Sequence, residues 1–284
     1  MKNYFLALRP KTLIIGTIPV ILAYISALQY AKPSVQILLS CLGIALFLQM
    51  ASNVFNDALD FEKGTDIHRK GPKRQAGRTI SLRKLKRLGF VLIGIAILCS
   101  FPILSQSPQL IPLGLVCILA SYTYTGGPYP LSYHGLGEVA AFVFFGPVAV
   151  IGTLLSFGIE IRNSQIVMAS IIGIDAAMVM GVNNLRDYAT DLKAGKSTLA
   201  GKLGQMSFIY LLSLMGGISA LLKINFFGAD ARFLFYLCTL CSAWFFIMLH
   251  KDQKQKHVSR LFFFTLFLLL IDFLAMGGFL IANL

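Results

Sequence analysis

Two acidic clusters stand at the ends of two separate membrane-length apolar stretches, and their residues fall in matched register. The first occupies residues 56–64 and the second residues 187–195; overlaid, they align Asp60 with Asp191 and each ends on a glycine. Charged side chains are costly near a bilayer, so such clusters indicate a functional site. The chain has only 12 Asp and Glu residues, and six of them lie in these clusters or, for Asp66, two residues after the first: Asp57, Asp60, Glu62, Asp66, Asp187 and Asp191.

Each cluster repeats an oxygen ligand after four residues, a spacing that places both ligands on one face of a helix end. The pairs are Asn56 with Asp60 and Asp187 with Asp191, and Asp57 lies three residues before Asp60. Oxygen ligands in this arrangement suit Mg²⁺, which also binds phosphate oxygens. Two such sites facing each other would hold two or more Mg²⁺ ions on one diphosphate, so these residues are candidate metal ligands and catalytic residues.

Basic residues follow or flank both clusters, where they would bind the outer oxygens of a diphosphate and stabilise the departing charge. Solvation of two helix ends is the alternative interpretation, and the matched register on one side of the membrane argues against it. The candidate substrate-binding residues are Arg69, Lys70, Lys73 and Arg74 after the first cluster and Arg186, Lys193 and Lys196 around the second.

The composition is that of a membrane protein. Hydrophobic residues make up 56% of the chain and charged residues 13%, about half of the usual share in soluble domains. Apolar runs long enough to cross a bilayer recur from end to end. We therefore predict an all-α, polytopic membrane protein, one transmembrane domain over residues 1–284, with about nine helices at 12–30, 35–55, 88–106, 109–125, 137–158, 164–184, 205–222, 232–250 and 261–282.

The distribution of Lys and Arg predicts the orientation. Of 25 such residues, 21 fall on the side that holds the N-terminus, and the opposite side holds only Lys32, Arg162, Lys223 and Arg232. This predicts a multi-pass cell-membrane protein with the N-terminus and both acidic clusters on the cytosolic face and the C-terminus outside. The net charge of +13 is then mainly a topology signal, and the chain lacks the interleaved aromatic and basic residues of a nucleic-acid binder.

The two cluster-bearing helices are the second and the sixth predicted spans, four places apart, so they would run in the same direction. This predicts two similar halves related by an axis along the membrane normal, an arrangement known among membrane proteins.

A metal-held diphosphate at the membrane surface, with an apolar interior behind it, predicts a polyprenyl diphosphate whose tail lies between the helices. Electron withdrawal from the bridging oxygen promotes loss of diphosphate and leaves an allylic cation. An electron-rich aromatic carbon would then attack the cation inside a cavity that excludes water.

The motifs Asn56-Asp57-x-x-Asp60 and Asp187-x-x-x-Asp191 resemble the two signatures of the UbiA superfamily of intramembrane prenyltransferases. Further stretches resemble its menaquinone branch, and the second motif with its flanks is the most specific part of the resemblance. These stretches are Leu8-Arg9-Pro10-Lys11-Thr12-Leu13, Tyr124-Thr125-Gly126-Gly127-Pro128, Gly135-Leu136-Gly137-Glu138, Asn183-Asn184-Leu185-Arg186-Asp187 and Gly195-Lys196-Ser197-Thr198-Leu199-Ala200.

The resemblance implies nine helices, Mg²⁺ dependence, a polyprenyl diphosphate donor and 1,4-dihydroxy-2-naphthoate as the acceptor. In that branch the prenyl group replaces the carboxylate of the acceptor, which leaves as CO₂. By motif position, the Mg²⁺-diphosphate ligands would be Asn56, Asp60, Asp187 and Asp191, supported by Asp57 and Asp66. The first motif departs from the commoner pattern at Glu62 and Gly64, which leaves open whether Glu62 or Asp66 assists the metal.

Five further polar residues have two interpretations each. Tyr122 and Tyr124 would orient a substrate or steady a cation with a ring face, or else anchor the membrane interface. Glu138 would face the hydroxyls of the acceptor or favour a helix N-terminus, and Asn184 is grouped with it as substrate-binding. Asp175 and Asp272 lie deep inside predicted spans, where we expect them to be protonated or to hydrogen-bond to neighbouring helices.

Other functions remain open at this point. Within the prenyltransferases, 4-hydroxybenzoate or homogentisate would be alternative acceptors. A secondary transporter would also combine repeats with buried acidic residues, but it would be expected to interrupt its helices at the bilayer midplane, whereas these clusters lie at the surface.

Overall fold

The computed structural model describes residues 2–65, 79–227 and 255–284. Over these ranges the secondary structure is helical and contains no strand. The helices are α1 Lys2–Ala7, α2 Pro10–Leu28, α3 Val35–Glu62, α4 Leu82–Leu104, α5 Ile111–Thr123, α6 Gly137–Val143, α7 Ala149–Ser156, α8 Asn163–Lys193, α9 Leu199–Leu203, α10 Gln205–Phe227 and α11 Gln255–Ala282.

Six helical segments in the described part of the chain are long and apolar enough to cross a membrane. The all-α membrane class is therefore confirmed. Shorter apolar helices, Thr12–Leu28 and Pro108–Thr123, occupy the first and fourth predicted spans. The predicted span 232–250 lies outside the described residues, so the count of nine and the sides of the termini stay predictions. The six segments are Val35–Glu62, Leu82–Leu104, Gly137–Ser156, Asn163–Lys193, Gln205–Phe227 and Thr265–Ala282.

Helices α3 and α8 continue past the ends of the predicted apolar spans. The spans were predicted to end at residues 55 and 184, but the helices end at Glu62 and Lys193. Apolar content alone marks the lipid-facing part of a helix and misses polar turns whose side chains are buried against other elements. As a result, both acidic clusters lie within the last turns of long helices rather than in the connections after them.

Helix α8 is at the centre of the protein. About 67% of its membrane-length segment is buried, against 28–39% for the other five spans. Glycines allow α8 to pack closely against α6 and the segment that joins it to α7. A Cβ on Gly146 would lie 2.5 Å from the carbonyl oxygen of Ala169, and one on Gly173 would lie 2.7 Å from that of Phe142. Close backbone approach through small residues is typical of helix packing in membranes.

A buried ionic cluster joins α8, α10 and α11 away from the acidic motifs. The Lys223 ammonium lies 2.6 Å from Asp272 Oδ2 and 3.1 Å from Asp175 Oδ2. The hydroxyl of Ser219 donates to Asp175 Oδ1 at 2.7 Å. Asp175 and Asp272 thus bind a neighbouring helix, as expected. The charge count placed Lys223 in an outer connection; it lies instead inside α10 and is buried, because two carboxylates compensate its charge.

Replacing Lys223 with Met should strongly destabilise the protein. Two buried carboxylates would lose their shared cation, and removing one partner of a buried ion pair costs about 3–5 kcal/mol. We expect a lower melting temperature for the detergent-solubilised Lys223→Met variant than for the exposed control Lys84→Met. A triple variant with Asp175→Asn, Lys223→Met and Asp272→Asn should recover most of the loss. Equal melting of Lys223→Met and wild type would contradict a structural role for this cluster.

Candidate active site

A long cavity of about 450 Å³ runs between helices α2 to α8. Along α3, its lining residues extend from Cys41 to Asp60, which corresponds to about 28 Å of helix axis. The wall along this length is mostly apolar and includes Ile44, Leu48 and Ile118. The charged and asparagine side chains of the lining belong to both acidic clusters and their surroundings: Arg9, Asn53, Asn56, Asp60, Asn183, Asn184, Asp187, Asp191 and Lys196.

The two cluster-bearing helices end in the same backbone motif. Gly64 and Gly195 both have left-handed backbones, with φ of 82° and 70°. In each case the residue after the glycine bonds back to an aspartate carbonyl, Thr65 N–H to Asp60 and Lys196 N–H to Asp191, both at 2.9 Å. This is the Schellman helix end, which favours glycine because a Cβ is strained there. The register seen in the sequence is therefore reproduced in three dimensions.

Arg9 contacts two residues of the first cluster, Asn56 and Asp57. It lies between α1 and α2 with φ of 51°, an uncommon backbone for a side-chain-bearing residue. Its guanidinium donates to Asn56 Oδ1 at 2.6 Å and forms an ion pair with Asp57. Asp57 is buried and absent from the cavity lining, whereas Asn56 and Asp60 line it. Arg9 was not singled out by sequence reasoning as a site residue, although it stands in one of the motif stretches.

Asp60 connects the two clusters. Its carboxylate accepts from the Tyr133 hydroxyl at 2.8 Å and from Asn56 Nδ2 at 3.2 Å. The ammonium of Lys196, which follows α8, lies 3.4 Å and 3.2 Å from its two oxygens. Asp60 and Lys196 are 1% and 6% exposed, so this ion pair is shielded from water and strongly attractive.

In the second cluster, Asp187 forms an ion pair with the adjacent Arg186. Arg186 donates to both oxygens of Asp187, at 3.0 Å and 2.9 Å, and also binds Asn183 Oδ1. Asp191 is buried one turn further along α8 and lines the same cavity. Asp187 and Asp191 therefore face the cavity from α8, as Asn56 and Asp60 do from α3.

Tyr133 is a second residue that sequence reasoning missed. It ends a short 3₁₀ turn, Leu131–Tyr133, in the connection between α5 and α6. The Lys63 ammonium lies 4.2 Å from its ring centroid and the Lys196 ammonium 4.9 Å, both within cation–π range. Burial lowers the pKa of the Lys63 ammonium from its ordinary value, although the nearby carboxylate of Asp60 raises it. No spacing rule links this tyrosine to Asp60, so only the structure could reveal the contact.

Glu138 and Asn184 form a buried polar pair beside the cavity. Asn184 Nδ2 donates to Glu138 Oε1 at 2.8 Å, and Asn184 lines the cavity. Glu138 is 5% exposed, and its other oxygen, Oε2, is buried without a hydrogen-bond partner. An unsatisfied buried carboxylate oxygen is costly. Glu138 does not itself line the cavity and is connected to it through Asn184. Tyr124 also lines the cavity, and its hydroxyl lies 3.2 Å from Met180 Sδ.

The structure does not bring every candidate residue to the cavity. Glu138 and Arg186 are absent from its lining, although their partners Asn184 and Asp187 line it. Tyr122 packs edge-on against Phe55 at 5.2 Å and stacks on Phe90 at 6.2 Å, which is a packing role between α3, α4 and α5. Lys193 is exposed. Glu62 pairs with Lys86 at 2.7 Å on the surface. Arg69, Lys70, Lys73, Arg74 and Asp66 lie outside the described residues.

The donor set at the cavity fits Mg²⁺ bound together with a substrate. Within residues 2–65, 79–227 and 255–284, no three His, Cys, Asp or Glu side chains are close enough to form a closed metal site. Mg²⁺ usually keeps water ligands and is bound through one or two carboxylates plus substrate phosphates. One carboxylate from α3 and two from α8, lining the same cavity, meet that requirement.

Comparison with known proteins agrees with the motifs. The model of the UbiA prenyltransferase family matches residues 17–271. A 1,4-dihydroxy-2-naphthoate octaprenyltransferase from Haemophilus influenzae is 34% identical over 91% of this chain and 89% of its own length. The enzyme of that name from Mycobacterium tuberculosis is 36% identical, and the match spans 66% of each chain, just under two thirds of that relative.

Solved structures show the same fold at low sequence identity. A UbiA homolog from Archaeoglobus fulgidus bound to GPP and Mg²⁺ superposes with a TM-score of 0.70, at 15% identity, over 99% of both chains. A digeranylgeranylglyceryl phosphate synthase superposes with a TM-score of 0.68 at 17% identity. The family model matches most of this chain, and the Haemophilus influenzae relative is 34% identical over 91% of it. The chain therefore belongs to the UbiA prenyltransferase family.

Proposed function

We propose that the protein transfers a polyprenyl group from polyprenyl diphosphate to 1,4-dihydroxy-2-naphthoate with loss of CO₂, giving demethylmenaquinol. The observation that carries the proposal is the meeting of two acidic helix ends, from α3 and α8, at the polar lining of one long apolar cavity. Similarity to 1,4-dihydroxy-2-naphthoate octaprenyltransferases supports the choice of acceptor.

The diphosphate would be held at the charged part of the cavity. Asn56, Asp60, Asp187 and Asp191 would hold Mg²⁺, which, when bound, supplies the electron withdrawal that weakens the bond to the departing diphosphate. Arg9, Arg186 and Lys196 are close to these carboxylates and would bind the outer oxygens of the diphosphate. Their positive charge would stabilise the diphosphate as it leaves.

The apolar length of the cavity would hold the prenyl chain and protect the allylic cation. Phe144, Phe145 and Val148 contribute to this wall. Since water would quench the cation, an apolar lining favours attack by the aromatic acceptor instead. The lining that extends about 28 Å along α3 is long enough for several isoprene units.

The acceptor would lie near Glu138 and Asn184. A naphthol hydroxyl donating to Glu138 Oε2 would satisfy that buried oxygen and increase electron density in the ring. The ring carbon that bears the carboxylate then forms a bond to the allylic cation. Loss of CO₂ returns the bonding electrons to the ring and restores aromaticity, so no covalent enzyme intermediate is required.

The excess of basic residues near the clusters supports an active site that faces the cytosol in a multi-pass membrane protein. Both proposed substrates would then reach the site on the cytosolic side, the acceptor from water and the donor from the bilayer.

Removing one carboxylate from either helix should abolish turnover. We expect Asp60→Ala and Asp191→Ala each to lower kcat at least about 100-fold, in line with the loss of a group that stabilises transition-state charge. EDTA should inhibit wild type reversibly. Glu160→Gln, an exposed acid in the connection between α7 and α8, is the matched control. Near-normal activity of either Asp variant in excess Mg²⁺ would contradict a single metal–diphosphate site built from both clusters.

Glu138→Gln should impair the use of the acceptor and leave donor binding intact. The amide keeps the size of the side chain but accepts a weaker hydrogen bond from a naphthol, so we expect kcat to fall about 10- to 100-fold. The affinity for prenyl diphosphate, measured by calorimetry in Mg²⁺, should match wild type. If the variant instead loses donor affinity with unchanged kcat, Glu138 belongs to the diphosphate end of the site.

Carboxyl-labelled 1,4-dihydroxy-2-naphthoate should release labelled CO₂ in step with prenylated product, because the prenyl group forms its bond at the carbon that loses the carboxylate. Product mass and released label are measured in the same reaction, with 4-hydroxybenzoate and homogentisate offered in parallel. Product that keeps its carboxylate, or a preference for another acceptor, would assign the protein to a different branch. Substrate uptake into proteoliposomes without any product would indicate a transporter.

A further inference from the structure

The Asp60 carboxylate already has a hydrogen-bond donor for each of its acceptor positions. An ionised carboxylate has about four lone-pair sites. Tyr133 and Lys196 contact Oδ1 at 2.8 Å and 3.4 Å, and Asn56 and Lys196 contact Oδ2 at 3.2 Å each. A metal ion can therefore bind Asp60 only when one of these donors leaves.

The contacts differ in how firmly each donor is held. The Tyr133 hydroxyl is also 2.7 Å from Thr65 Oγ1. The Asn56 amide nitrogen also donates to Thr125 Oγ1 at 3.0 Å, and its oxygen accepts from Arg9. Lys196 makes the longest contact to Asp60, through a flexible four-carbon stem, and its positive charge is repelled by an incoming cation. Lys196 is therefore the donor that a divalent metal would displace.

The position of Lys196 allows this displacement without a change of backbone. Its N–H is bonded to the Asp191 carbonyl in the helix end described above, which fixes the main chain. Its side chain lines the cavity, so the ammonium can leave Asp60 and stay beside the space that holds the diphosphate.

We propose that Lys196 is an exchange cation: it neutralises Asp60 until a divalent metal binds there, and it then transfers its hydrogen bonds to the outer oxygens of the prenyl diphosphate. The proposal rests on the function proposed above. Lys196 would therefore have two opposite effects. It would weaken binding of the metal when no diphosphate is present, and it would strengthen binding of the prenyl diphosphate.

The test compares full-length wild type with Lys196→Met in detergent, with Lys84→Met as the matched loss of an exposed positive charge. With Mn²⁺ alone, followed by electron paramagnetic resonance, Lys196→Met should bind the metal about tenfold tighter, because no ammonium competes for Asp60. With Mg²⁺ and geranyl diphosphate, without an acceptor, calorimetry should show Lys196→Met binding the diphosphate about tenfold weaker. Lys84→Met should match wild type in both.

Lys196→Arg retains the charge and should stay close to wild type in the metal titration, which separates competition from a change in folding. Weaker or equal Mn²⁺ affinity in Lys196→Met, including binding too weak to measure in both proteins, overturns the exchange. Unchanged diphosphate affinity overturns the second half of the proposal. If wild type forms no prenylated product from any aromatic acceptor, the proposed function fails instead, whatever the metal titration gives.

Discussion

Carboxylates buried in a membrane protein require compensating charge, and this requirement organises the structure. Transfer of an ionised group out of water is highly unfavourable unless it is paired and hydrogen-bonded. Asp57 is paired with Arg9, Asp60 with Lys196, and Asp187 with Arg186. The same constraint acts far from the site, where Asp175 and Asp272 share Lys223. The ion pairs that surround the cavity also determine which basic side chains would leave their aspartates when Mg²⁺ and the prenyl diphosphate bind.

Pairing across helices is what brings the two motifs into one site. Lys196 belongs to the segment after α8, and Asp60 belongs to α3. Tyr133, from the connection between α5 and α6, bonds the same carboxylate. Three parts of the chain therefore converge on Asp60.

The helix ends contribute the geometry. In both α3 and α8, the aspartate nearest the C-terminus lies at the start of a Schellman motif and is followed by a left-handed glycine. The motif ends the helix within one turn of the carboxylate and directs the following residue back toward the site. That residue is Thr65 in the first case, which reaches Tyr133, and Lys196 in the second, which reaches Asp60. Identical backbones thus support different chemistry in the two halves of the site.

The sequence alone determined the features that depend on local spacing. Long apolar runs require membrane helices because backbone groups must be satisfied internally in lipid. The four-residue spacing put Asn56 and Asp60 on one helix face. The scarcity of carboxylates and the motif stretches then indicated the family before any contact was known.

Tertiary structure decided every contact between residues distant in sequence. Lys196 and Asp60 are 136 positions apart, and Tyr133 and Asp60 are 73 apart. The sequence predicted that Lys223 lies in a connection outside the membrane, but helix packing buries it between two aspartates. Tyr122 and Tyr124 are two residues apart, yet one packs between helices and the other lines the cavity. Spacing along the chain fixes which side chains share a helix face, but only the packing of helices determines what each face meets.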